Sequence, residues 1–158
     1  MYGSKQSAIN ARWPILLAAG LALTITACDG PSAPLDPNGP AIHNNRGYAW
    51  YLKKEYDKAI SEYDEAIRLN PKLATVYNNR GLALSDKMDL DKAMDDFNEA
   101  IRLDPGHALA YSNRGHAWYL KKDYDKAISD YNEAVRLDPK LALAYNNRGL
   151  AWSRKTDY

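Results

Sequence analysis

Hydrophobic positions are distributed in two ways along the chain. From Trp13 to Ile25 they run on almost without a break, whereas from residue 41 onward they recur at helical intervals between charged residues. In the second region Tyr77, Gly81, Leu84 and Met88 fall at i, i+4, i+7 and i+11, and Ala93, Phe97, Ala100 and Ile101 line one face of a following segment. That spacing predicts two amphipathic helices. Asn-Pro or Asp-Pro after Leu69, Leu103 and Leu137 predicts where the second of each pair stops, because proline disfavours helix in the residue before it. Asp57, Asp91 and Asp125 open these segments and Arg68, Arg102 and Arg136 close them, matching the helix dipole at both ends.

The pattern repeats. Asn-Arg-Gly starts at Asn45, Asn79, Asn113 and Asn147, each copy 34 residues after the last. In the same period run Ala59, Ala93 and Ala127, then Tyr63, Phe97 and Tyr131, then Ala66, Ala100 and Ala134, then Pro71, Pro105 and Pro139. Three repeats therefore occupy 40–73, 74–107 and 108–141, with a partial repeat over 142–158, together an expected domain of 41–158. The first and third repeats share 23 of 34 positions and the first and second share 15, so the unit of duplication is a pair of repeats, 68 residues long. One hairpin cannot bury its apolar face alone; stacked hairpins can.

This arrangement resembles the tetratricopeptide repeat. Tyr77, Gly81, Ala93, Phe97, Ala100 and Pro105 match its signature, as do Tyr111, Gly115, Trp118, Ala127, Tyr131, Ala134 and Pro139. The resemblance implies an all-α, right-handed α-solenoid of helix-turn-helix units, about three and a half repeats long. It also implies a protein-binding groove lined by the first helix of each repeat. Two positions depart from the signature: Arg46, Arg80, Arg114 and Arg148 replace the leucine before the glycine, and His43 stands where the first aromatic belongs. Stacked arginines repel one another unless acids lie between, so they are expected to pair with helix acids such as Glu65, Glu99 and Glu133.

The expected partner-binding residues are Asn45, Tyr48, Tyr51, Asn78, Asn79, Asn113, His116, Tyr119 and Asn147. Amides can pair with the backbone of an extended segment whatever its side chains, and aromatic rings suit partly apolar partners. The same asparagines could equally serve only to bond neighbouring helices to one another. A clamp for a terminal carboxylate is not expected, because Ala41, Thr75, Leu109, Asn44, Asn78 and Ser112 fill the columns where relatives with that chemistry place Lys or Arg.

Composition narrows the function further. Lys and Arg number 21 against 20 Asp and Glu, so no charge imbalance calls for a nucleic-acid partner. His43, His107 and His116 lack metal-ligand spacing, no Gly-rich phosphate loop occurs, and a single cysteine allows neither an intrachain disulfide nor a thiolate zinc site. No enzyme activity, metal or cofactor is expected. The rival reading is a truncated or regulatory module of a larger enzyme or assembly system, bringing it to envelope, pilus or cell-wall substrates.

The continuous apolar run is shorter than the roughly 20 residues of a membrane-spanning helix and follows a polar stretch with Lys5 and Arg12 and no acid. It reads as a signal peptide over 1–27. Leu23 to Cys28 resembles the bacterial lipobox, in which the cysteine is acylated and becomes the mature N-terminus. Its alternative is a plain secretory signal that leaves Cys28 a free thiol. Residues 28–40, with four of the eight prolines, then form an extended tether of up to roughly 35 Å. Lipid on Cys28 would hold the protein to a membrane in the cell envelope, facing the periplasm; the plain signal would leave it secreted or periplasmic. At the other end Tyr145, Leu150 and Trp152 are expected to expose an apolar face, either because the sequence is part of a longer protein or because that face docks onto another copy or a partner.

Overall fold

The computed structural model describes residues 37–156. The expected signal peptide, Cys28 and most of the tether lie outside the described residues. The described chain forms seven α-helices: α1 (Pro40–Leu52), α2 (Tyr56–Leu69), α3 (Ala74–Asp86), α4 (Leu90–Leu103), α5 (Ala108–Leu120), α6 (Tyr124–Leu137) and α7 (Ala142–Thr156). None of them is long and apolar enough to cross a membrane. Each odd-numbered helix packs on the helix after it as a hairpin, each hairpin packs on the next, and the odd-numbered helices also touch one another.

Alanine sets the closeness of the stack. Ala59, Ala66, Ala83, Ala93, Ala100, Ala117, Ala127, Ala134 and Ala151 are wholly buried, and the rings of Tyr63, Phe97 and Tyr131 fill the space between them. These rings lie against Gly47, Gly81 and Gly115 of the partner helix, where a Cβ would meet ring carbons at 2.5, 2.8 and 3.0 Å. Burial pushes the Tyr63 and Tyr131 hydroxyls well above the ordinary tyrosine range.

Two kinds of turn punctuate the helices. After α2, α4 and α6 the Asn70, Asp104 and Asp138 side chains accept a backbone N–H two residues on, at 2.9 to 3.0 Å, so the residue before each proline itself holds the turn. After α1, α3 and α5 the chain passes through the left-handed region at Lys54, Met88 and Lys122, with φ of 60°, 65° and 63°. In each, two backbone bonds close the helix end. For α3 they run from Met88 N–H to the Ser85 carbonyl and from Asp89 N–H to the Leu84 carbonyl, the six-to-one pattern of a Schellman motif.

This turn corrects one expectation. Met88 does not continue the apolar face of α3; it lies beyond the helix end, mostly exposed. The expected partners of the arginine column are also replaced. Glu65, Glu99 and Glu133 are held by Arg68, Arg102 and Arg136, three residues further along the same helix. Arg80 and Arg114 instead form forked pairs with Asp96 and Asp130, which immediately precede the buried rings. Arg80 also bonds Asp64 of the preceding hairpin at 2.6 Å, and Arg114 and Arg148 bond Asn98 and Asn132 in the equivalent position. Carboxylates and amides thus do lie between the arginines, from a different column. A further set of ion pairs, Lys87–Asp57, Lys121–Asp91 and Lys155–Asp125, ties the end of each odd-numbered helix to the start of the preceding even-numbered one.

Candidate interaction surface

Odd-numbered helices present their asparagine and aromatic columns together. Asn79 donates from Nδ2 to Asn44 Oδ1 at 3.0 Å and Asn113 donates to Asn78 Oδ1 at 2.9 Å, so the amides form rungs between α1, α3 and α5. Asn78 is buried, which removes it from any partner's reach and corrects its inclusion among the surface residues. Asn79 and Asn113 are half-buried, each with one amide committed to the rung, while Asn45 is exposed. The next rung is interrupted: Ser112 replaces asparagine, its Oγ is buried without a hydrogen-bond partner, and Asn147 opposite is half-buried.

Aromatic residues occur in two sets. Tyr48 stacks on Tyr51 with ring centres 6.3 Å apart, and Tyr51 meets Tyr56 at 5.8 Å. Sixty-eight residues on, His116 meets Tyr119 at 6.3 Å and Tyr119 meets Tyr124 at 5.5 Å. Between them the same columns carry Leu82, Ser85 and Leu90. Tyr48 and His116 are exposed; Tyr51 and Tyr119 are half-buried. The Tyr51 hydroxyl donates to Asp86 at 2.8 Å, and burial together with that carboxylate pushes it far above the ordinary range. Asp86, Tyr56 and Tyr124 were not among the expected surface residues, although the 68-residue period already pairs the two tyrosines. Leu150 continues the Tyr48 and His116 column, so its exposure belongs to this surface and not to the hairpin face of α7.

The histidines serve structural contacts. His43 Nδ1 lies 2.7 Å from Glu62 Oε2, and burial lowers the pKa of His107 in the turn between hairpins. On the other side, a cleft of about 450 Å³ between α2 and α4 is lined by Asp57, Asp64, Arg80, Lys87 and Asp96, whose charges are paired with one another. Among the described residues no group of three or more His, Cys, Asp or Glu is placed to hold a metal ion.

Comparison with known proteins bears on this surface. The family model described as "Tetratricopeptide repeat" matches residues 74–107 and 108–141, and one described as "TPR repeat" matches 47–87. Among solved structures, the Arabidopsis OM64 TPR domain is 30% identical, with a TM-score of 0.71, over 73% of this chain and 95% of its own. The TPR2B domain of yeast Sti1, in complex with a pHsp70 peptide according to its title, is 25% identical with a TM-score of 0.69, over 75% of this chain and 98% of its own. The first TPR domain of human RPAP3 is 24% identical with a TM-score of 0.72, over 78% of this chain and all of its own, a likeness of fold. No curated protein matches the chain.

Proposed function

The chain belongs to the tetratricopeptide repeat family of protein-interaction modules, and from that premise we propose that the face of its odd-numbered helices binds an extended segment of a partner protein. One observation carries this reading: two exposed aromatic sets, headed by Tyr48 and His116, lie two hairpins apart with amides between them. Neighbouring helices pack 8–10 Å apart, so the sets are separated by roughly 20 Å. An extended chain covers about 3.3 Å per residue, which places two apolar anchors about six residues apart in the ligand. Asn45 and the uncommitted atoms of Asn79 and Asn113 can meet the ligand backbone between the anchors. The yeast Sti1 domain's peptide complex supports the class of ligand, whereas Ala41, Thr75 and Leu109 supply no cation for a terminal carboxylate.

Selection from a library of unstructured peptides, followed by fluorescence anisotropy, tests this. Selected peptides should carry paired apolar residues at that spacing and lose about tenfold in affinity to Tyr48→Ala or His116→Ala protein, with thermal stability unchanged. Equal binding by the double variant would refute the assignment. For location, the lipobox-like segment motivates a separate proposal: Cys28 is acylated and tethers the domain to a bacterial membrane facing the periplasm. The intact mass of membrane-extracted protein should show loss of residues 1–27 and gain of acyl chains, both abolished by Cys28→Ala; an unmodified chain would refute the tether.

A further inference from the structure

Each of the three hairpins formed by α1 to α6 buries the same positions of its first helix. In α3 these are Gly81, beneath the Phe97 ring; Leu84, 8% exposed; and Arg80, which donates from Nε and Nη2 to the Asp96 carboxylate. In α5, Gly115 and Arg114 meet Tyr131 and Asp130 in the same way. The equivalent residues of α7 are Gly149, Trp152 and Arg148. No atom lies within 4 Å of a Cβ built on Gly149, Trp152 is 49% exposed, and Tyr145, one turn before, is 42% exposed. Arg148 reaches Asn132 through Nη1, while its Nε–Nη2 edge meets no carboxylate among the described residues.

We propose that this face of α7 docks an amphipathic helix of a partner protein carrying the pattern Ala-x-x-Asp-aromatic-x-x-Ala. Each part of the pattern answers a feature of the face. The ring fills the space over Gly149 and covers Trp152, the aspartate receives the free edge of Arg148, and the flanking alanines let the helix axes approach as α3 and α4 do. Ala93 to Ala100 and Ala127 to Ala134 are two examples within this chain.

Charge selects a partner helix over a second copy of the same surface. α7 contains Arg148, Arg154 and Lys155 and no acid among its described residues, and α1, the outer helix at the other end of the stack, contains no acid either. Pairing α7 with α7, or α7 with α1, therefore brings cations together and leaves Arg148 unmatched, an arrangement that like-charge repulsion disfavours. The site is distinct from the asparagine and aromatic surface, because its residues are those that face the second helix of a hairpin.

The test uses the full chain and a labelled peptide of the Asp89–Asp104 sequence, held helical by a crosslink between positions 91 and 95, both exposed in α4. Preorganisation removes the cost of helix nucleation. Saturable one-to-one binding is expected by anisotropy, weakened about tenfold or more by Asp96→Ala or Phe97→Ala in the peptide and by Arg148→Gln or Gly149→Leu in the protein. Gly149→Leu fills the vacancy without touching any packed residue, so its thermal midpoint serves as the folding control. Undiminished binding to Gly149→Leu, or no binding at millimolar peptide, would overturn the proposal. So would sedimentation of the protein alone as a dimer that Gly149→Leu dissociates, since the face would then belong to a second copy.

Discussion

The guanidinium of Arg80 grips the Asp96 carboxylate by two parallel bonds, Nε to Oδ2 at 2.8 Å and Nη2 to Oδ1 at 2.6 Å, and holds Asp64 of the preceding hairpin with its third nitrogen. Asp96 is 4% exposed, and burial pushes its carboxyl above the ordinary range even with Arg80 beside it. Removing one partner strands the other. Asp96→Ala should cost about 2–4 kcal/mol in urea denaturation, whereas Arg80→Met combined with Asp96→Leu should recover much of that loss.

The glycine column contains its own control. A methyl group at Gly81 would press on the buried Phe97 ring and the Asp96 Cβ, while one at Gly149 meets nothing. Gly81→Ala should therefore destabilise by about 1–3 kcal/mol, as overpacking does. Gly149→Ala should instead raise stability by about 0.5–1 kcal/mol through helix propensity. Equal effects at both sites would contradict the packing described.

Met88 is bent into the left-handed region with its side chain in solvent. An L-residue there costs about 1 kcal/mol relative to glycine. Met88→Gly should shift the urea midpoint upward by about that energy without changing the denaturant slope, because no packed group is lost.

Acid should loosen the helix ends. Hydrogen bonds from Arg68, Arg102 and Arg136 hold Glu65, Glu99 and Glu133 below the ordinary glutamate range, and bonds from Lys92 and Lys126 do the same for Asp89 and Asp123. For a depressed carboxylate the unfolded chain takes up protons first, so its contribution is complete above the unfolded value and disappears as pH falls through the folded one. The thermal midpoint should decline from about pH 5 downward, less steeply in Glu99→Gln/Glu133→Gln protein and in high salt. Asp96 contributes the opposite slope, since its folded form accepts a proton more readily.

Much of this architecture is legible in the residues. Asp57, Arg68 and the Asn70-Pro71 pair mark both ends of α2, because dipole, turn and proline effects act within a few residues of one another. Contacts across the stack are harder to read. Glu99 is as acidic as Asp96, yet its helical spacing gives it to Arg102, while Asp96 lies next to the buried ring and faces α3. Asn78 and Asn79 are adjacent and chemically identical, but α5 covers the first and leaves the second partly open. The left-handed turn at Met88 carries no glycine to announce it, so the apolar spacing runs past the true end of the helix.

The lysine–aspartate ties between successive hairpins recur with the repeat, so one junction is chemically interchangeable with the next. A gene for such a chain can gain or lose whole repeats without any junction having to be reinvented. The increment matters, however. Adding 68 residues keeps aromatic and aliphatic hairpins in alternation and extends a recognition tract in the same rhythm, whereas adding 34 sets two like hairpins side by side and changes the cadence that a ligand must match.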